Sequence, residues 1–242
     1  MKGNATKDPA VARIIERQMR TWELVRDRRI TAWPHQQRDV AEFICISREA
    51  GVGACNIGVQ LGERLGWPIF DRALLHAMAG DDTVREQVYA SMDERDISWC
   101  EQVLRPLMQP GFVRDDYFHR LSKTVLSLAR QGSGVFIGRG ADLILPQHVG
   151  LRVRIIAPLV TRIQQIVSRY EMSATDARSK IQQIEQDRAT YIRTHFHVDV
   201  TDPSRYDLVV NLQRISASRA VDVIMATREI LAITPEDGRK SV

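Results

Sequence analysis

The chain has 242 residues and 44% hydrophobic content, which suits one globular domain with decoration or one and a half domains, and fits neither a disordered nor a fibrous class. Its net charge of +4 is mild, and its 34 Lys and Arg residues are dominated by arginine spread along helices. That pattern favours an anionic small molecule over DNA or RNA, since arginine suits bidentate recognition of phosphate and no stretch concentrates basic residues with aromatics.

The chain starts "MKGNATKDPAVARIIERQMR", without the apolar core of a signal peptide, and no window is long and apolar enough to cross a bilayer. Cys45, Cys55 and Cys100 form an odd set without CxxC spacing. This argues against a disulfide framework or structural zinc and fits a reducing compartment. A cytoplasmic protein is expected.

Residues 1–40 read as a helical N-terminal extension. Val11, Ile14, Ile15, Met19, Trp22 and Leu24 mark an apolar stripe from Pro9 to Arg29, before a loop around "WPHQQ". The extension is the expected contact of a homo-oligomer. "EFICIS" (42–47) reads as a strand buried on both faces, and a glycine turn then leads into a helix carrying Ile57, Leu61 and Leu65 that stops at Gly66. "WPIFD" (67–71) is a short strand, and two or three helices follow between Arg72 and Met108. "PGF" breaks the chain before a helix over 114–132.

"GVFIGRG" (134–140) and "LRVRIIA" (151–157) read as strands, the first ending in a glycine turn. Helices are expected from Pro158 to Tyr170 and from about Ser173 to His195. A last strand is predicted over 206–212, then a closing helix over 216–231 and a flexible tail, 233–242. Five apolar strands alternating with helices predict an α/β three-layer sandwich on a five-stranded, mostly parallel sheet with helical insertions.

In such sheets ligands sit at the carboxyl ends of strands, where helix N-termini and loop amides favour anions. "ISREAGVGACNIG" (46–58) has that design, with Gly51 and Gly53 permitting amides to curl around phosphate oxygens. Against the full phosphate loop G-x-x-x-x-G-K-[ST], Arg48 stands at the first glycine, Ala54 at the lysine and Cys55 at the hydroxyl position. The two glycines alone are a weak signal and read first as an ordinary tight strand-to-helix turn.

Four motifs in order, "ISREAGVGACNIG", "GWPIFDRALL", "VFIGRGADLIL" and "DRATYIRTHFHVDVTDPSRYDLVVNL", make residues 42–228 resemble the cytidylate kinase-like family. This is a branch of the nucleoside monophosphate kinases among the P-loop NTPases whose loop commonly lacks the lysine. The resemblance implies a core domain over 41–232, with an acceptor-side helical region (72–132) and a lid-like region (171–205). It also implies ATP as donor, with magnesium, and a nucleoside monophosphate such as CMP as acceptor.

By resemblance, Gly51, Gly53 and the amides of Ala54, Cys55 and Asn56 cradle the donor phosphates. Arg48 either supplies the missing positive charge or is a surface arginine paired with Glu49 or another acid. Asp71 matches an acid near the magnesium and the acceptor, or simply caps the next helix. Arg139 matches an arginine on the acceptor phosphate. Asp187, Arg188 and Arg193 look like the lid "DR" and a further arginine. Arg188 and Arg193 diverge by about 140° on a straight helix, so gripping one phosphate together requires a bend, for which the turn at "THFHVD" is the candidate.

Arg162 and Arg169 share a helix face opposite much of the apolar stripe, and Tyr206 and Asn211 flank the last strand. "HFH" carries His195 and His197 but lacks a third metal ligand of suitable spacing. The chain departs from the best-known members at Gly140, where they have the aspartate of G-R-D, and at Arg72-Ala73, where they have D-S-G. Three readings follow: a kinase whose arginines replace the lysine, a catalytically weak nucleotide sensor or partner-binding pseudokinase, and an arginine-rich nucleic-acid binder.

Overall fold

Alternation along a strand sends neighbouring side chains to opposite faces, and both faces of Phe43–Arg48 (β1) are covered. Phe43 and Cys45 join one apolar cluster, whereas Ile44 and Ile46 join another across the sheet. The run is therefore continuously apolar, as a strand buried on both faces requires. It forms the middle of the sheet β2-β3-β1-β4-β5, with β2 at Ile69–Phe70, β3 at Gly134–Ile137, β4 at Leu151–Ile156 and β5 at Leu208–Asn211. All four pairings are parallel.

The computed structural model describes residues 9–32, 40–90, 92–108 and 116–233. The expected loop around 33–37, the break at 110–112 and the tail beyond 233 lie outside the described residues.

One face of the sheet is covered by Ala54–Leu65 (α2) and Ala217–Ile233 (α10), through Ile57, Leu61, Ala220, Val221 and Ile224. The other carries Arg72–Gly80 (α3), Asp82–Ala90 (α4), Glu94–Leu107 (α5), Asp116–Gln131 (α6) and the one-turn Ala141–Ile144 (α7). The single turn of α7 is too short to leave a helical period in the sequence and was not among the predicted elements. Because the chain leaves β1 towards one face and β3 towards the other, a crevice opens between the carboxyl ends of these two strands.

Pro9–Ala32 (α1) packs on the same core through Ile15, Met19 and Trp22, all buried. Trp22 Nε1 donates to the carbonyl of Leu128, 3.0 Å, and Gln18 Oε1 accepts from Ile69 N, 2.8 Å. Ile14 and Leu24, included in the predicted stripe, face outwards, with Leu24 60% exposed. Leu159–Tyr170 (α8) and Ala174–Phe196 (α9) form a hairpin with its own small core of Ile166, Ala177 and Ile181, which also takes in Ala50 of the glycine turn.

Candidate active site

The turn after β1 is shaped by two residues with positive φ, Gly51 at 86° and Gly53 at 71°. Both lie in the region that favours glycine, and a Cβ on Gly51 would press on the backbone and Ile166 of α8. Gly53 caps α2 without a side-chain hydrogen bond. The amides of Gly51, Val52, Gly53, Ala54 and Cys55 donate to no group among the described residues. They face the positive end of the α2 dipole, an arrangement suited to an anion. Asn56 is already in the helix: its amide bonds to Gly53 O at 3.0 Å and its side chain to Gln60 at 3.3 Å.

Ala54, at the position of the lysine in the full motif, is 4% exposed in the cluster behind the loop. Positive charge comes instead from arginines contributed by several elements. Arg48 leaves the end of β1 and lies over Gly138, where a Cβ would collide with its guanidinium. Burial chiefly depresses its pKa, opposed by Cys55 and Asp71 and assisted by Arg72 and Arg139. Arg188, from α9, reaches across to donate to the carbonyl of Arg48 at 3.1 Å. Burial, then Arg48 and Arg72, hold its pKa down to about 10. Like charges crowded to this degree favour a multiply charged anion among them.

Asp71 is the carboxylate of this cluster. It caps α3, with Oδ1 accepting from Leu74 N at 2.8 Å, and it also acts electrostatically on Arg48. The capping reading of this residue holds, and its carboxylate also lies within electrostatic reach of Arg48. Glu49 turns away from Arg48, taking the amide of Ala157 at 2.9 Å and facing Arg162 at 3.3 Å.

Arg139 sits in a run of three positive φ angles, 76° at Gly138, 57° at Arg139 and 70° at Gly140. For arginine this costs on the order of 1 kcal/mol, an expense that recurs where a functional side chain must be aimed. Its guanidinium lies over the rings of Tyr117, 5.8 Å, and Tyr191, 5.6 Å. Its buried Nε has no hydrogen-bond partner among the described residues. Beside it, His76 Nδ1 meets Tyr117 Oη at 2.9 Å. Burial and then Arg139 and Arg72 lower the His76 pKa, keeping the imidazole neutral near pH 7. Val11, Arg72, Ala73, His76, Ala77 and Arg139 line a cavity of about 440 Å³.

The α8–α9 hairpin clasps the glycine turn. Arg162, 7% exposed, donates to the carbonyls of Ala157 and Ala50 and pairs with Glu185 at 2.6 Å. Glu185 also accepts from Ala50 N at 3.4 Å. Arg162 is thus buried against the loop and α9, whereas Arg169, two turns further along the same face of α8, is exposed.

Arg48, Asp71, Arg139, Arg188 and the amides of residues 51–55 come together. Asp187 and Arg193 do not: both are exposed, and Asp187 accepts from Gln183 at 2.7 Å. The reason is that α9 continues unbroken to Phe196, so the bend needed to align Arg193 with Arg188 is absent. Tyr206 is 9% exposed and donates to Val200 O at 2.9 Å, a packing role. His195 stacks on Phe118 at 4.5 Å, and among the described residues no group of three or more His, Cys, Asp or Glu is arranged to hold a metal alone. Arg72, His76, Tyr117, Tyr191 and Glu185 were not predicted as site residues. Arg72 carried a signal, as a charge directly following the strand-end aspartate, but the others sit on helices whose facing partners sequence spacing does not give.

Gly140 has a structural reason to replace aspartate. A Cβ there would meet the Phe196 ring at 2.5 Å, and φ is positive. Among the described residues no helix is long and apolar enough to cross a membrane.

Residues 43–214 match the sequence profile of the cytidylate kinase-like family. The chain is 24% identical over 201 residues to a cytidylate kinase of Natronomonas pharaonis, covering 83% of this chain and 96% of that protein. A cytidylate kinase of Halorubrum lacusprofundi is 25% identical over 202 residues, with the same two coverages. Among solved structures, a protein from Eubacterium ventriosum described as uncharacterized superposes with a TM-score of 0.64 at 20% identity, covering 78% of this chain and 98% of that one. That last likeness concerns the fold.

Proposed function

The chain belongs to the cytidylate kinase-like family, and from that membership we propose that it is a nucleotide kinase transferring the γ-phosphoryl group of ATP to a nucleoside monophosphate. The observation that carries this reading is the convergence of Arg48, Arg72, Arg139 and Arg188 beside the unpartnered amides of the glycine turn. Relatives named cytidylate kinase over most of their length support it.

Phosphoryl transfer asks the protein chiefly to position two phosphates and neutralise the charge shared among the equatorial oxygens. In this reading the amides of residues 51–55 hold the donor phosphates. Arg48 and Arg188 replace the lysine, flanking the position where donor and acceptor meet. Arg139, stacked between two tyrosines and carrying an unpaired Nε, orients the acceptor phosphate. Clasping of the turn by Arg162 and Glu185 keeps the amides aimed and excludes water.

Magnesium bound to a nucleotide takes one or two carboxylates together with phosphate oxygens and water. Asp71 fits that need, because Oδ2 makes no hydrogen bond among the described residues. It would hold the ion, which when bound neutralises phosphate charge. Asp187 and Arg193, both exposed on α9, enter this reading only through a movement of the hairpin over bound nucleotide.

The test is a screen of purified protein with ATP and magnesium against CMP, UMP, dTMP, AMP and GMP, following ADP release alongside thermal midpoint. Turnover with one acceptor, lost in Arg139→Ala while the fold persists, is the expected result. The buried Ala54 favours one competing reading, a nucleotide sensor without catalysis. Stabilisation by ATP with no turnover on any acceptor would establish that reading instead.

A further inference from the structure

The cavity beside Arg139 has one wall from outside the family-matched residues 43–214: Val11, on α1. The rest of its lining divides by chemistry. Arg72 and Arg139 present guanidinium groups, and His76 presents an imidazole whose charged form is disfavoured. Ala73, Ala77 and Val11 are apolar, and among the described residues no carboxylate lines the space. A ligand fitting all of it carries an anionic group for the arginines and an uncharged body for the apolar side.

The position of Val11 is fixed by the helix that bears it. Val11, Ile15, Gln18 and Trp22 follow one another at spacings of four, three and four, which places them on one helix face. Ile15 and Trp22 are buried, and Trp22 is tied to Leu128 O and packed where a Cβ on Gly132 would meet its indole at 2.9 Å. Gln18 holds the amide of Ile69, three residues before Arg72. The helix is thus keyed to the strand that delivers Asp71 and Arg72, and Val11 lies one turn beyond Ile15, half-buried at the cavity.

We propose that α1 is a wall of the acceptor pocket and that Val11 is a specificity-determining residue, setting how large an uncharged body a phosphate ester can place between α1 and α3. The inference rests on the kinase reading above and adds to it the element that selects the acceptor. It makes α1 part of the site in this chain, although the helix carries none of the family's motifs. Deleting α1 is an unsuitable test, because Ile15, Met19 and Trp22 belong to the core.

Val11 itself is amenable to substitution. Full-length wild type, Val11→Ala, Val11→Trp and the distant exposed control Leu24→Ala are compared, first for thermal midpoint. Acceptor kcat and KM are then measured for CMP, UMP, dTMP, AMP and GMP, and each monophosphate is titrated calorimetrically without ATP. Val11→Trp is expected to raise acceptor KM about tenfold or more, the scale at which pocket walls discriminate by size, with KM for ATP unchanged. Val11→Ala is expected to shift the purine-to-pyrimidine ratio of kcat/KM towards purines, and Leu24→Ala to leave both constants alone.

Wild-type turnover with unchanged acceptor constants in both Val11 variants overturns the inference and spares the kinase reading. Binding without turnover overturns the kinase reading, and the inference then stands or falls on whether Val11→Trp weakens the calorimetric Kd. Neither binding nor turnover with any monophosphate overturns both.

Discussion

Arg188→Met separates what this arginine costs the empty protein from what it contributes to a bound nucleotide. The guanidinium is held down from 12.5 to about 10, first by burial and then by Arg48 and Arg72. At about 1.4 kcal/mol per tenfold, keeping it charged opposes folding by on the order of 3 kcal/mol. Against that stands one charge-assisted hydrogen bond to Arg48 O at 3.1 Å, of about 1.5–3 kcal/mol, plus packing of the aliphatic stem. Methionine keeps much of the stem and removes the charge. The two effects nearly offset, so the ligand-free variant is expected to melt within about 4 °C of wild type, on the higher side.

Nucleotide binding should behave oppositely. Wild type with ATP at a hundred times Kd gains about 2.7 kcal/mol, which for a chain of this size raises the midpoint by roughly 5–10 °C. Loss of an arginine–phosphate contact removes most of that rise and lowers kcat/KM at least about tenfold. The assay is differential scanning fluorimetry with and without MgATP, paired with coupled ADP release. A midpoint several degrees lower, with the ATP-dependent rise and turnover intact, would show that Arg188 is a structural residue and refute the reasoning.

Cys55 is exposed, whereas Cys45 and Cys100 are buried with thiols pushed up by desolvation, Cys100 to about 11. Iodoacetamide at pH 7.5 should therefore alkylate Cys55 alone, severalfold more slowly with MgATP; peptide mass spectrometry reads both, and an ATP-independent rate contradicts the placement of the loop. His76 has a folded pKa below its ordinary 6.5, so the unfolded chain binds the extra proton and stability falls as pH drops from 6.5 through the lowered value. His76→Gln should flatten the thermal midpoint across pH 7 to 5, and an unaltered slope would assign the acid sensitivity elsewhere. Gly140→Asp, which restores the G-R-D pattern, should destabilise by about 2 kcal/mol in urea denaturation with no gain in CMP turnover, because Phe196 fills the space and φ is positive.

The strands were legible because each is a short run rich in β-favouring apolar residues, and in the central strand β1 burial of both faces leaves a continuous apolar signature whatever the partner. The glycine turn was legible because positive φ at positions 51 and 53 restricts the residue type locally. Motif order supplied the family, and with it Arg48, Asp71, Arg139 and Arg188. Arg193 shows the limit. Whether it joins Arg188 depends on a bend in α9, and the last turns of that helix are instead held by burial of Ile192 and Phe196 against distant residues. His76, Tyr117 and Tyr191 meet Arg139 from α3, α6 and α9, an encounter set by helix packing rather than by spacing along the chain.

The sequence by itself determined the alternation of strands and helices and the glycine turn between β1 and α2, since each follows from local periodicity and backbone preference. Only the tertiary structure decided which arginines converge beside the glycine turn, what a side chain at Gly140 would meet, and that Val11 of α1 lines the cavity. Those depend on contacts between residues far apart in the chain, such as Gln18 with Ile69 and Phe196 with Gly140, whose geometry the packing of the whole core imposes.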